Sequence, residues 1–133
     1  MNSEQSIELF TAINIGVVGL SHFLQPKIWI DFFVFLYKHK NIGNIINALI
    51  ALGMGSLIVS FHFIWEWPKI LITVYGVLQI TKALMYLIKP SIGIASLAKV
   101  TVKTGYKFRW AGLLMFLMSL LILYSLWIEG VFV

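Results

Sequence analysis

Residues 42–88 read IGNIINALIALGMGSLIVSFHFIWEWPKILITVYGVLQITKALMYLI. The two apolar runs in it, Ile42–Trp65 and Ile70–Ile88, each reach about the 20 residues a helix needs to cross a ~30 Å hydrocarbon layer. Only Glu66-Trp67-Pro68-Lys69 separates them. Pro68 suits the first turn of an incoming helix, where a missing N–H costs nothing. Trp65 and Trp67 suit the headgroup level. The stretch predicts a membrane hairpin.

Outward from it, Ile7–Leu24 and Trp110–Ile128 are runs of the same kind. The expectation is one domain over residues 1–133, with spans at about 7–24, 42–65, 70–88 and 110–128. Composition agrees: 60% of residues are hydrophobic and 11% charged, against roughly 45–50% and 25% in soluble domains. So few charges cannot cover a soluble surface of this size. The absence of cysteine excludes disulfides, thiolate metal sites and iron–sulfur clusters. Residues 1–6 carry no basic stretch ahead of the apolar run, so the start does not read as a cleaved signal peptide. The expected fold class is an all-α membrane protein, its four transmembrane helices arranged as two tandem hairpins.

Basic residues set the orientation. Lys27, Lys38, Lys40, Lys89, Lys99, Lys103, Lys107 and Arg109 lie in the first and third connections, and Lys69 alone lies on the other side. The positive-inside rule then places both termini outside and both long connections in the cytoplasm. Neither connection reads as a free loop. Ile28–Tyr37 is apolar and aromatic enough to rest in the interface, while Lys99, Lys103 and Lys107 recur every four residues. On one helix those lysines would share a face turned to anionic lipid headgroups, either as a plain topology signal or as a docking surface. Nothing resembles a nucleic-acid reading motif.

An offset of 64 residues aligns the halves. Leu20–Ile30 falls on Leu84–Ile94, so that Pro26 meets Pro90 and isoleucines follow two and four positions later. Ala48-Leu49 falls on Gly112-Leu113, and Met54-Gly55 on Met118-Ser119. This predicts two units of one topology about a pseudo-two-fold axis along the membrane normal.

In the third span Tyr75, Gln79, Lys82 and Tyr86 form one stripe. Lys82 lies about 10 Å from the cytoplasmic end by helical rise. It either snorkels to the headgroups or turns inward, with Asp31 as its one candidate counter-ion on that side. The second span has a stripe of Asn44, Asn47, Ala51, Gly55, Ile58 and His62. Ala51 with Gly55, and Ala12 with Gly16 on the first span, have the spacing of close helix packing. The fourth span is the one expected to face most lipid. His22, Asn47, Gln79 and Lys82 make up the candidate polar site, in the cytoplasmic half. His22 and His62 should lie about 20 Å apart along the normal by helical rise, so they cannot share a metal. No metal or cofactor is implied. His62 could bond Glu66, four residues on. No nucleophile elbow, phosphate loop or dinucleotide fingerprint is present, and no enzymatic activity is expected.

Gly19-Leu20-Ser21-His22-Phe23-Leu24-Gln25-Pro26, followed by aromatic residues, resembles the end of the first helix in DoxX-like small membrane proteins. The resemblance implies a four-helix bacterial inner-membrane protein, often a partner of redox or detoxification systems. Many such proteins carry a glutamate in the second helix, and this chain has none there. Two functions stay open. One is an accessory subunit or self-assembling component, as a homo-oligomer or with a membrane-protein partner. The other is a small oligomeric transporter or channel built on the polar site.

Overall fold

The computed structural model describes residues 1–133, all helix and turn. The helices are α1 (Ser3–Leu24), α2 (Pro26–Lys38), α3 (Lys40–Phe61), α4 (Ile70–Ile88), α5 (Pro90–Ala98), α6 (Val102–Gly105) and α7 (Lys107–Ile128). Four stretches, α1, α3, α4 and the continuous α6–α7 segment, are long and apolar enough to cross a membrane. Four helices of that length and composition suit a multi-pass membrane protein. The termini and the 62–69 turn gather at one end of the bundle, and α2, α5 and α6 at the other.

Local chemistry sets the boundaries. Asn2 caps α1 by accepting from the Gln5 N–H at 2.8 Å, and the Gln5 side chain accepts from the Asn2 N–H in return. Pro26 and Pro90 start α2 and α5 after junctions of matching geometry. Gln25 has φ −130° and ψ 57°, Lys89 has φ −126° and ψ 83°, and each donates its N–H four residues back, to Ser21 and Met85. Pro90 has no N–H for the Tyr86 carbonyl. The Asn44 side chain on α3 supplies the missing donor at 2.9 Å. At the other junction Arg109 of α7 donates to the Phe23 carbonyl at 3.2 Å. Each break is therefore braced by the long helix that ends the opposite half.

That crossing recurs in the packing. α1 lies along α7 and α3 along α4, while α1 and α3 touch sparsely. Hairpins closed on themselves would pair α1 with α3 and α4 with α7. The pairing instead crosses between halves, and it obeys the 64-residue offset, which carries α1 onto α4 and α3 onto α7. Small residues at matching positions permit it. Ala12 and Gly76, Gly19 and Ala83, Ala48 and Gly112, and Gly55 and Ser119 are all buried. A Cβ on Gly19 would stand 2.6 Å from the Gly112 carbonyl oxygen, and one on Gly55 would stand 2.7 Å from that of Gly76. Ser119 donates to the Ala12 carbonyl at 2.7 Å in the α1–α7 interface. Ile7, Ala12, Ile15, Ile58, Ile72, Ile122 and Leu126 form the core between the pairs.

Several expectations need correction. The second span ends at Phe61 rather than Trp65. Ile64 directs both its N–H and its C=O to the Thr73 hydroxyl, at 3.0 and 2.8 Å, in place of helical partners. The first and fourth spans begin earlier than expected, at Ser3 and Lys107. Lys99, Lys103 and Lys107 do not lie on one helix: Lys99 caps α5, whereas Lys103 and Lys107 belong to the α6–α7 segment. All three are exposed. The α6–α7 segment is among the least buried spans, as expected, but α4 equals it.

Candidate functional site

The sparse contact between α1 and α3 leaves a cleft of about 530 Å³ in the half of the bundle that carries α2. His22, Asn47, Gln79 and Lys82, drawn from three long helices, all line it. The helical stripe brings Tyr75 in as well. α2 folds back across the opening because the Gln25–Pro26 junction reverses the chain, and it adds Trp29, Phe32 and Phe33 to the wall. Trp29 is pinned by its Nε1–H, which donates to Ser21 Oγ at 2.9 Å, and its ring stacks on His22 at 4.1 Å. Exposed Ile28 and Ile50 border the mouth. A further hollow of about 180 Å³, bounded by Ile15, Ala51, Met54 and Met115, continues it into the bundle.

His22 is buried and its Nδ1–H donates to the Val18 carbonyl at 2.8 Å, which leaves Nε2 as a free acceptor. Asn47, Gln79 and Lys82 have no hydrogen-bond or ion-pair partner in the chain. Asp31 does not serve Lys82; it pairs with Lys27 at 3.5 Å on the surface. The cleft therefore combines apolar and aromatic walls with one unbalanced ammonium, two free amides and a free imidazole nitrogen. Such a set is chemically suited to a ligand with an acceptor-rich head. It offers no activated nucleophile. Ala12, Gly16, Ala51 and Gly55 serve contacts outside the cleft's polar part: Gly16 faces Ser119 and Gly55 faces Gly76.

A second polar cluster occupies the opposite end. Glu8 and His62, each 1% exposed, meet at 3.1 Å between Oε1 and Nε2. His62 Nδ1 lies 3.0 Å from the Thr73 hydroxyl. Lys69 Nζ stands 3.2 Å from Glu8 Oε1 and 2.9 Å from Glu129 Oε1. Gln5 adds a bond to Glu129 at 3.3 Å. The end of α7 positions Glu129: Gly130, at φ +76°, donates to the Trp127 carbonyl, and Val131 donates to that of Leu126. Partial burial works against the Lys69 ammonium, yet the hydrogen bonds and charges of Glu129 and Glu8 carry its pKa above the ordinary lysine value. The Lys69 hydrogen bond holds the Glu129 carboxyl below the ordinary carboxylate range.

This cluster is the part that sequence reasoning missed. His62 does not pair with Glu66, because the helix ends at Phe61, His62 is extended and the i,i+4 relation is lost. A signal for Glu8 was present: with Ala12, Ile15, Gly19 and His22 it shares one α-helical face. A carboxylate on the packed face of a helix needs a partner.

No family model, curated protein or solved structure matches the chain.

Proposed function

We propose that this protein is a non-enzymatic membrane protein that binds an amphiphile in the lateral cleft. The apolar body would lie against Trp29, Phe32 and Phe33, and an anionic or acceptor-rich head would lie on Lys82, Asn47 and Gln79. The carrying observation is convergence: unpartnered polar side chains from separate helices line one cavity with an aromatic wall. A part-buried ammonium without a counter-ion favours an anion. The cleft opens beside the lipid, and the isoleucine-rich core closes the bundle beyond it. This supports the transporter-like reading, a carrier site loaded from one side, over a purely structural accessory subunit, which has no need of free amides in a cavity.

We place both termini outside and α2, α5 and α6 at the cytoplasmic face of a bacterial inner membrane. The distribution of lysines and the Gly19–Pro26 resemblance to DoxX-like proteins support this. A reporter fused at residue 133 should read external and one inserted near residue 98 cytoplasmic; the reverse pattern would refute the orientation.

The binding reading is tested with a photo-crosslinkable fatty acid and its alcohol analogue in nanodiscs. The acid should label peptides containing Trp29–Phe33 and Asn47–Ile50 at least tenfold more than the alcohol does. Lys82→Met should erase that preference, since it keeps the stem and removes the charge. Labelling spread evenly over the lipid-facing residues of all four long helices would reject the site.

A further inference from the structure

We propose that Glu8, His62 and Lys69 form a proton-binding site at the terminus-bearing end, loaded by one proton held between His62 Nε2 and Glu8 Oε1. A count of donors carries the inference. Thr73 has a single hydroxyl hydrogen, and the Ile64 carbonyl, 2.8 Å away, has no other donor within the chain. The hydrogen goes there. The Thr73 oxygen then accepts from the Ile64 N–H and from His62 Nδ1–H, both at 3.0 Å. With Nδ1 already protonated, a neutral ring would turn a bare Nε2 towards an ionised carboxylate oxygen 3.1 Å away, between side chains that are 0% and 1% exposed. Two lone pairs repel at that separation. One added proton turns the contact into a hydrogen bond, whether it rests on the nitrogen or on the oxygen.

The charge balance points the same way. Glu8 and Glu129 place two negative charges around the one positive charge of Lys69. One proton brings the cluster to neutrality, the state that buried surroundings favour. The groups facing it can be named element by element. α1 supplies Glu8 and the neutral Gln5; the 62–69 segment supplies His62 and Lys69; α4 supplies only the Thr73 hydroxyl; the end of α7 supplies Glu129. Glu4 and Glu66 are exposed and make no bond into the cluster. Lys69 and Glu129, whose side chains are 21% and 32% exposed, link it to the solution at this end. The proposal stands independently of the cleft's occupant.

The test is a pH titration of the full chain in nanodiscs, labelled with ¹⁵N-histidine and ¹³C-glutamate and followed by NMR. His62 Nδ1 should be protonated at every pH. One step should move His62 Nε2 and the Glu8 carboxyl carbon together. Glu8→Gln removes the favourable negative charge and should weaken the His62 proton affinity by about tenfold or more; Lys69→Met removes a competing positive charge and should strengthen it similarly. A His62 ring protonated on Nε2 with Nδ1 bare would overturn the proposal, and so would a His62 step that neither variant moves. The double variant Glu8→Ile/His62→Leu copies the apolar pair Ile72 and Leu126 found at the matching positions of the second half, so it should fold and lack the coupled step. If Glu8→Gln does not fold, the wild-type Nδ1 signal and the direction of the Lys69→Met shift decide the matter.

Discussion

Glu8→Ala should cost about 3–5 kcal/mol, the usual loss when one member of a buried ionic pair is removed and the other stays behind. His62 and Lys69 would face an empty pocket where the Glu8 carboxyl oxygen now stands 3.1 and 3.2 Å from them. Converting the whole pair is a different matter. Glu8 and His62 correspond, 64 residues on, to Ile72 and Leu126, which are 1% and 0% exposed. Glu8→Ile/His62→Leu therefore exchanges a polar contact for the apolar residues that the matching positions of the second half bury in the core. Replacing buried ion pairs by apolar residues of similar volume is often neutral or stabilising, so this double variant should unfold within about 1 kcal/mol of wild type. Unfolding followed by far-UV circular dichroism in mild detergent measures both. A double variant as damaged as Glu8→Ala would mean that the cluster is needed for the fold itself.

The next largest effect belongs to the helix crossings. Gly19→Val should lose about 3 kcal/mol or more, at the upper end of overpacking costs. The first carbon added would meet the Gly112 carbonyl oxygen at 2.6 Å and the Phe116 nitrogen at 2.9 Å, and backbone atoms cannot rotate away. Gly55→Val should behave alike, for the Gly76 carbonyl lies 2.7 Å from its Cβ position. Gly53 supplies the contrast: a Cβ there meets nothing within 4 Å. Gly53→Ala should stabilise the chain by about 0.5–1 kcal/mol through helix propensity alone. Equal responses at Gly19 and Gly53 would contradict the cross-paired packing.

Much of this architecture is legible in the residues. Apolar run length marks four long helices, because a bilayer demands one length and intrahelical hydrogen bonding. Pro26 and Pro90 mark the two breaks, because each lacks a donor. The C-terminal end of α3 is hidden, since Phe63, Ile64 and Trp65 are as apolar as a helix would be and the Thr73 hydroxyl that ends it lies nine residues further on. Helix pairing is hidden for a related reason: Ala12, Gly16, Ala51 and Gly55 mark faces that permit close approach, but small residues do not name their partner. The candidate polar site is legible because Gln79 and Lys82 share a helical stripe and Asn47 and His22 lie at the same depth. Its aromatic wall is not. Trp29, Phe32 and Phe33 read as interfacial anchors, and only the reversal at Pro26 brings them over the cleft.

Native mass spectrometry of the protein released from nanodiscs tests the binding claim most directly. The account predicts each wild-type chain carrying one amphiphile, with the adduct lost from Lys82→Met and from Asn47→Leu while the fold persists. Chains without an amphiphile, held in a fixed ratio to a foreign subunit, would contradict it and return the protein to an accessory role.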